Sequence, residues 1–327
     1  MQFRLRDLLV LTAVAAVLSS LAMLWILPSR EQARRARCAD NLRQLGLGIH
    51  NYHDTFRCIP PGATGKDAAP RIGWRVRILP FTGKTHISEI NMDLANVPVE
   101  PLGTQLPRDA EGVLIPQRSR KQAAEFQTPY SMCPNDPRDS IVHGFAQSSY
   151  AGSLGSQNTK TGASGCQPFS PSLRFYDGTK LFGDTDDKRE VSGIFSRQMY
   201  GPMTLGDVKD GINNTFAAGE ILSDCHLNNM GWWSYDGAAN AHASTLVPLN
   251  VKTTCATSER HAIKLGYFMP ECFERTNTNF SWGFRSNHPG GANLMFCDGS
   301  VQFINDDINC HIYQANGGRD DLPAFTE

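Results

Sequence analysis

The sequence predicts an α+β protein in which one long N-terminal helix precedes a β-rich body. Three observations carry this expectation: an uncharged run from Leu8 to Leu27, a helical apolar stripe that resumes after Pro28, and short apolar runs separated by Gly, Pro, Asn and Asp beyond residue 60. The implied organisation is an anchor over residues 1–28, an amphipathic continuation of the helix over 29–56 and a head over 57–327.

The run LLVLTAVAAVLSSLAMLWIL carries no charge, and about 20 helical residues at roughly 1.5 Å each span the hydrocarbon core of a bilayer. Its few polar side chains, Thr12, Ser19 and Ser20, can bond back to their own helix. A cleaved signal peptide and a buried core helix are the rival readings. The run exceeds an ordinary signal-peptide core, and no A-x-A-like site precedes Pro28 and the charged stretch SREQARR, so a retained membrane helix is preferred. Arg4 and Arg6 precede the run while Arg30, Arg34, Arg35 and Arg37 follow it. Counted alone, these charges place the body in the cytoplasm.

Beyond Pro28, which reads as a kink, Cys38, Leu42, Leu45, Ile49, Tyr52 and Phe56 recur at alternating steps of four and three, forming one apolar helix face. The arginines of ARRAR read as facing headgroups or solvent, and Pro60-Pro61-Gly62 as ending the element. WRVRILPF, SSYAGSLG, GIFSRQM and NLMFCDGSVQFI read as short strands. In the last of these, Asp298-Gly299 predicts a two-residue hairpin turn at the edge of the main sheet, with Leu294 and Phe296 facing Val301 and Phe303. Residues 152–188 and 240–275, rich in Gly, Ser and Thr, read as long loop insertions.

Composition narrows the function. With 31 Lys+Arg against 32 Asp+Glu the chain is close to neutral, which argues against a nucleic-acid partner, and 40% hydrophobic residues suffice for a packed core. There is no G-x-S-x-G, H-E-x-x-H, Walker loop or G-x-G-x-x-G, and no C-x-x-C pair for a zinc knuckle. Nine cysteines leave at least one unpaired in any compartment. Asp184, Asp186 and Asp187 are weak candidates for Ca²⁺, lacking the Gly and distal Glu of an EF-hand loop. Trp232 and Trp233, with Tyr235 and Asp236, offer aromatic faces on which a sugar could stack.

The apolar helix, RRARCADNLRQLGLGIHNYHDTF, PPG, WRVRILPF, SMCPNDP, DVKDGINNTFAAGE and NHPGGANLMFCDGSVQFI together resemble a bacterial family of pilin-like membrane proteins of unknown function. That family carries a C-terminal motif of His, nine residues, then Asp-Gly, associated with prepilin-type processing; here it falls on His288, Asp298 and Gly299. The resemblance implies a pilin-like fold, with the long helix packed on an antiparallel sheet and the head on the extracytoplasmic side of the inner membrane. It is preferred over the charge count for orientation. Phe3 and Asp7 resemble the start of a prepilin helix, but Gln2 stands where a Gly is usual and the basic leader is nearly missing. Asp7 also suits a helix N-terminus on electrostatic grounds alone. Cys38 and Cys133, in two of the blocks, are candidates for a disulfide if the head is exported; connectivity does not follow from the sequence.

Separated by an extended strand, His288 and Asp298 are not expected to form a local dyad. Asp298-Gly299 is explained by its turn and Pro289-Gly290-Gly291 by another, while a backbone-bonded histidine is the default for His288. Glu220 matches a recurrent family position without an evident partner. The expected function is therefore a pilin- or pseudopilin-like structural or cell-envelope protein without catalysis or cofactor. Its partners would be the bilayer, itself or other pilin-like subunits, and a processing or export apparatus. The alternative is an anchored extracytoplasmic binding protein or hydrolase acting on carbohydrate through the head loops.

Overall fold

The structure, a computed structural model, describes residues 5–62, 73–83, 127–142, 145–157, 169, 191–195, 203–225, 242–255, 272 and 274–320, and in the first helix the side chains of residues 11–20 and 28–56. Helix α1 runs from Leu5–Phe56 through Pro28. Among the described residues no helix is long and apolar enough to cross a membrane. Every described side chain from residue 11 to 20 is exposed, whereas Cys38, Leu42, Leu45, Ile49 and Tyr52 are buried. Phe56, the last member of the stripe, is 55% exposed and rests on Tyr52, ring centroids 4.6 Å apart. The helix ends before the prolines because Arg57 turns left-handed at φ 57°, its N–H bonding back to the His53 carbonyl at 2.7 Å.

The buried half of α1 lies on a five-stranded sheet. Its strands are β3 (Tyr150–Ser153), β4 (Phe216–Glu220), β5 (His242–Ala243), β6 (Gly291–Phe296) and β7 (Val301–Asn305), ordered β5-β3-β4-β6-β7. A separate ladder pairs β1 (Ile141–Val142) with β2 (Phe145–Ala146). The sheet is mixed, not purely antiparallel, because β5 joins β3 in parallel. The stretch at 242–255 thus supplies an edge strand and buried turns where a long loop insertion was expected; its small residues pack through backbone bonds that leave no apolar period. Likewise Ile194 and Phe195, at the start of GIFSRQM, and Val191 just before it are buried in irregular backbone.

Every residue of β6 is buried. Met295 joins the cluster under α1 with Leu42, Leu45, Trp74 and Tyr150, while Leu294 and Phe296 join Phe216, Phe284 and Tyr313 on the opposite face. Both faces of the sheet are therefore covered, the second in part by Tyr313 of helix α3 (Cys310–Gly317). A register shift between Phe216 and Ala218 lets β4 send Phe216 to one cluster and Ala217 and Ala218 to the other. WRVRILPF is helical: α2 (Trp74–Ile78) followed by a 3-10 turn at Leu79–Phe81. Its near-alternating apolar pattern also fits one helical turn wedged beside α1, where a Cβ on Gly48 would meet Thr82 and Ile78.

The hairpin turn differs from the expected two-residue type. Gly299 has φ 85° but Asp298 is not in the left-handed region, and Gly299 N–H bonds Phe296 O at 3.0 Å while Phe296 N–H bonds Ser300 O at 2.9 Å. The loop is three residues long, Cys297 to Gly299, with glycine at its one left-handed position.

Candidate functional site

The helix stripe does not stop at Cys38. Stepping back by three and then four residues reaches Arg35 and Glu31, which lie on the same face and meet the end of the sheet. Arg35 spans this junction: its Nε bonds Glu31 Oε1 at 3.2 Å, its guanidinium sits 4.1 Å from the Phe303 ring centroid, and it donates to the Pro289 carbonyl at 2.5 Å. This corrects the reading of ARRAR as wholly solvent- or headgroup-facing.

Opposite the stripe, four segments converge. Glu220 ends β4, and its carbonyl accepts from Arg285 N–H at 2.8 Å, fixing the chain that leads to His288. His288 precedes β6, and its N–H donates to Ser286 Oγ at 3.1 Å. Asn293 lies within β6, and Cys133 within a loop where its own N–H donates to Ser149 Oγ at 3.0 Å. Cys38 and Cys133 are disulfide-bonded, S–S 2.06 Å, which ties α1 to this loop.

The geometry centres on the imidazole, whose side chain is fully buried. Nδ1 lies 2.7 Å from Glu31 Oε1 and 3.1 Å from the Asn135 amide; Nε2 lies 3.4 Å from both Glu220 Oε1 and Cys133 Sγ. Glu220 is held by Asn293, whose backbone N–H and side-chain amide donate to Oε2 at 2.8 Å and Oε1 at 3.0 Å. The His288 side chain therefore bonds two carboxylates, correcting the expectation of a backbone-bonded turn histidine. Burial alone would depress its pKa, but hydrogen bonds and charge from Glu220 and Glu31 outweigh that and raise it. Burial acts to raise the Glu31 carboxyl, yet His288, Arg35 and Arg34 together leave it lowered. Nearby, burial and then the charge of Glu220 push the Tyr150 phenol well above its ordinary range, and Asn41 donates to its oxygen at 3.1 Å.

Chemically the cluster clamps helix to head through a covalent bond, an ion-paired imidazole and a cation on an aromatic face. Cys38, Cys133, Glu220 and His288 are all buried and present donor atoms within 4.8 Å of one another, so they are also the group that could hold a metal ion. An open cleft of about 730 Å³, lined by Arg34, Arg37, Asn41 and Arg138, reaches Cys133.

Of the residues singled out from the sequence, His288, Glu220, Cys38 and Cys133 are brought together here. Asp298 is exposed in the far hairpin, at the other end of β6 from His288. Gln2, Phe3, Asp184, Asp186, Asp187, Trp232, Trp233, Tyr235 and Asp236 lie outside the described residues, as does the side chain of Asp7. Sequence reading missed Glu31, Arg35, Asn135 and Asn293. The first two carried a signal, the unbroken helical spacing; Asn293, a lone amide in an otherwise apolar strand, carried another.

Fold and cluster define a class: an α+β head of a mixed sheet, clasping one long N-terminal helix at a buried cysteine, histidine and carboxylate cluster. The chain belongs to DUF1559, a family described as protein of unknown function, whose profile matches residues 28–311 and so spans every member of the cluster. No curated protein and no solved structure matches the chain.

Proposed function

We propose that this protein is a non-enzymatic, membrane-anchored subunit of the cell envelope with a pilin-like plan: residues 8–27 embedded in the bilayer and the head displayed on the extracytoplasmic side. The carrying observation is the contrast along α1, where Leu11, Val14, Val17 and Leu18 are each at least 50% exposed although the same helix buries its later stripe in the head. The occupant of that bare surface is lipid. It bears no charge on any side, its uncharged run of about 20 residues matches a bilayer core, and arginines stand beyond both ends. Ser19 and Ser20 donate to Ala16 O at 2.9 Å and Val17 O at 2.8 Å, so their hydroxyls need no water. An extracytoplasmic head is supported by the Cys38–Cys133 and Cys225–Cys255 disulfides and by a disulfide at Cys272, since such bonds persist in oxidising compartments. The absence of catalysis is supported by the sealed, doubly ion-paired state of His288, which offers no free base to a substrate.

Alkaline carbonate extraction of cell membranes, followed by protease added to spheroplasts, tests the reading. The full chain should stay in the pellet and its head should be digested from outside. Release by carbonate, or a head protected until the cells are lysed, overturns it.

A further inference from the structure

We infer that Cys38, Cys133, Glu220 and His288 form a latent tetrahedral site for a zinc-class divalent cation, closed by the Cys38–Cys133 disulfide and opened by its two-electron reduction. The inference is independent of membrane anchoring.

The argument starts from edge lengths. A tetrahedral ion with bonds of about 2.3 Å to sulfur and about 2.0–2.1 Å to nitrogen and oxygen separates sulfur from nitrogen or oxygen by about 3.6 Å, and nitrogen from oxygen by about 3.3 Å. The edges here are 3.4 Å from Cys133 Sγ to His288 Nε2, 3.7 Å from Cys133 Sγ to Glu220 Oε1 and 3.4 Å from His288 Nε2 to Glu220 Oε1. A face of the coordination polyhedron is already in place. What differs is the S–S separation of 2.06 Å, which must open to about 3.8 Å.

The surroundings are those of a ligand set. His288 Nδ1 faces Glu31 Oε1 at 2.7 Å, an arrangement that keeps the Nδ1 proton bonded to Glu31 and directs Nε2 to the ion once the Nε2 proton is lost, and Arg35 in turn holds Glu31. Glu220 is oriented by both Asn293 donors. Two sulfurs and an imidazole select a borderline-soft ion over Ca²⁺ or Mg²⁺, and four protein ligands leave no open position, which is the pattern of a structural centre. The oxidised state by itself is an imidazole–carboxylate pair beside a disulfide; the ligand set is completed only on reduction.

The redox step balances with a dithiol of the thioredoxin class as reductant. Cys133 lines the cleft and Cys38 is fully buried, so the reductant's thiolate attacks Cys133 Sγ, the S–S bond breaks and Cys38 departs as thiolate. The second thiol of the reductant resolves the mixed disulfide, leaving it oxidised and both cysteines reduced. The cation then displaces the two thiol protons and, from an imidazolium, the Nε2 proton.

The test uses the full chain in detergent, oxidised or reduced with a phosphine and freed of metal, titrated with Co²⁺ and then Zn²⁺. Reduced protein should take up one Co²⁺ with a thiolate-to-cobalt charge-transfer band and tetrahedral d–d bands, both displaced by Zn²⁺; oxidised protein should not. The signal should vanish in Cys38→Ser and His288→Ala, persist in Cys225→Ser/Cys255→Ser, and require about 10–100-fold more metal in Glu31→Gln. Identical bands in Cys38→Ser, none in reduced wild type, or equal uptake by oxidised protein would overturn the site. A readout that needs no variant is maleimide labelling of reduced wild type: Zn²⁺ should protect Cys38 and Cys133, and equal labelling with and without Zn²⁺ counts against the site.

Discussion

The two halves of α1 share a backbone and differ in everything else. Residues 11–20 are uncharged on every side and all exposed; residues 38–52 are apolar on one stripe, and that stripe is buried. Hydrophobic content alone therefore does not decide where a helix face goes. A stripe identifies a partner with a surface, here the sheet, whereas the uncharged half, on the function proposed above, meets a partner without one, a fluid hydrocarbon. The residues between them, Glu31 and Arg35, belong to neither regime and fasten the second half to the head by charge and hydrogen bonds.

The contrast can be broken at either end. The largest effect is expected from Cys38→Ser/Cys133→Ser, which opens a loop of 95 residues and should cost about 4–5 kcal/mol of head stability, read as a lower denaturation midpoint with membrane retention unchanged. Leu42→Ala empties a fully buried stripe position and should destabilise the head by about 2–5 kcal/mol, again without releasing the chain from membranes. The converse is Val17→Arg, placed near the middle of the apolar run: insertion should weaken by about 2.5–3.5 kcal/mol, seen as carbonate-extractable protein whose head melts normally. Smallest of all, Ser19→Ala/Ser20→Ala should change retention and melting by less than about 0.5 kcal/mol, because both hydroxyls only bond back to their own helix. A head-stability loss in Val17→Arg as large as in Leu42→Ala would show that the halves are not separate.

The local periods were legible and the long-range closures were not. Spacing alone fixed the helix stripe, and the existence of the β6–β7 hairpin followed from alternation around Asp298-Gly299, but the extra loop residue shifts its register, so that Val301 and Phe303 face Met295 and Asn293 and not Phe296 and Leu294. Trp74–Ile78 misled because five residues do not distinguish a strand from one helical turn, and packing against α1 decides it. β5 was hidden because two residues in a small-residue segment carry no period. At the site, His288, Cys38, Cys133 and Glu220 were each conspicuous, but nothing in a one-dimensional string says that β4 and β6 are adjacent, which is what brings Glu220 beside Asn293 and His288. Glu31 and Arg35 were overlooked for a different reason: charged residues beside an apolar run have an adequate explanation in solvent or headgroups, and their place on the stripe was not weighed.

The disulfide near the top of the packed half also has a mechanical consequence. Tension on the N-terminal end of α1 travels down the helix and meets Cys38 before it reaches Leu42, Leu45, Ile49 or Tyr52, so most of the load passes through a covalent bond into the loop of Cys133. The packed turns below are shielded from peeling. With that bond open, the same pull would fall one residue at a time on noncovalent contacts, and the head would yield like a zipper instead of holding like a bolt.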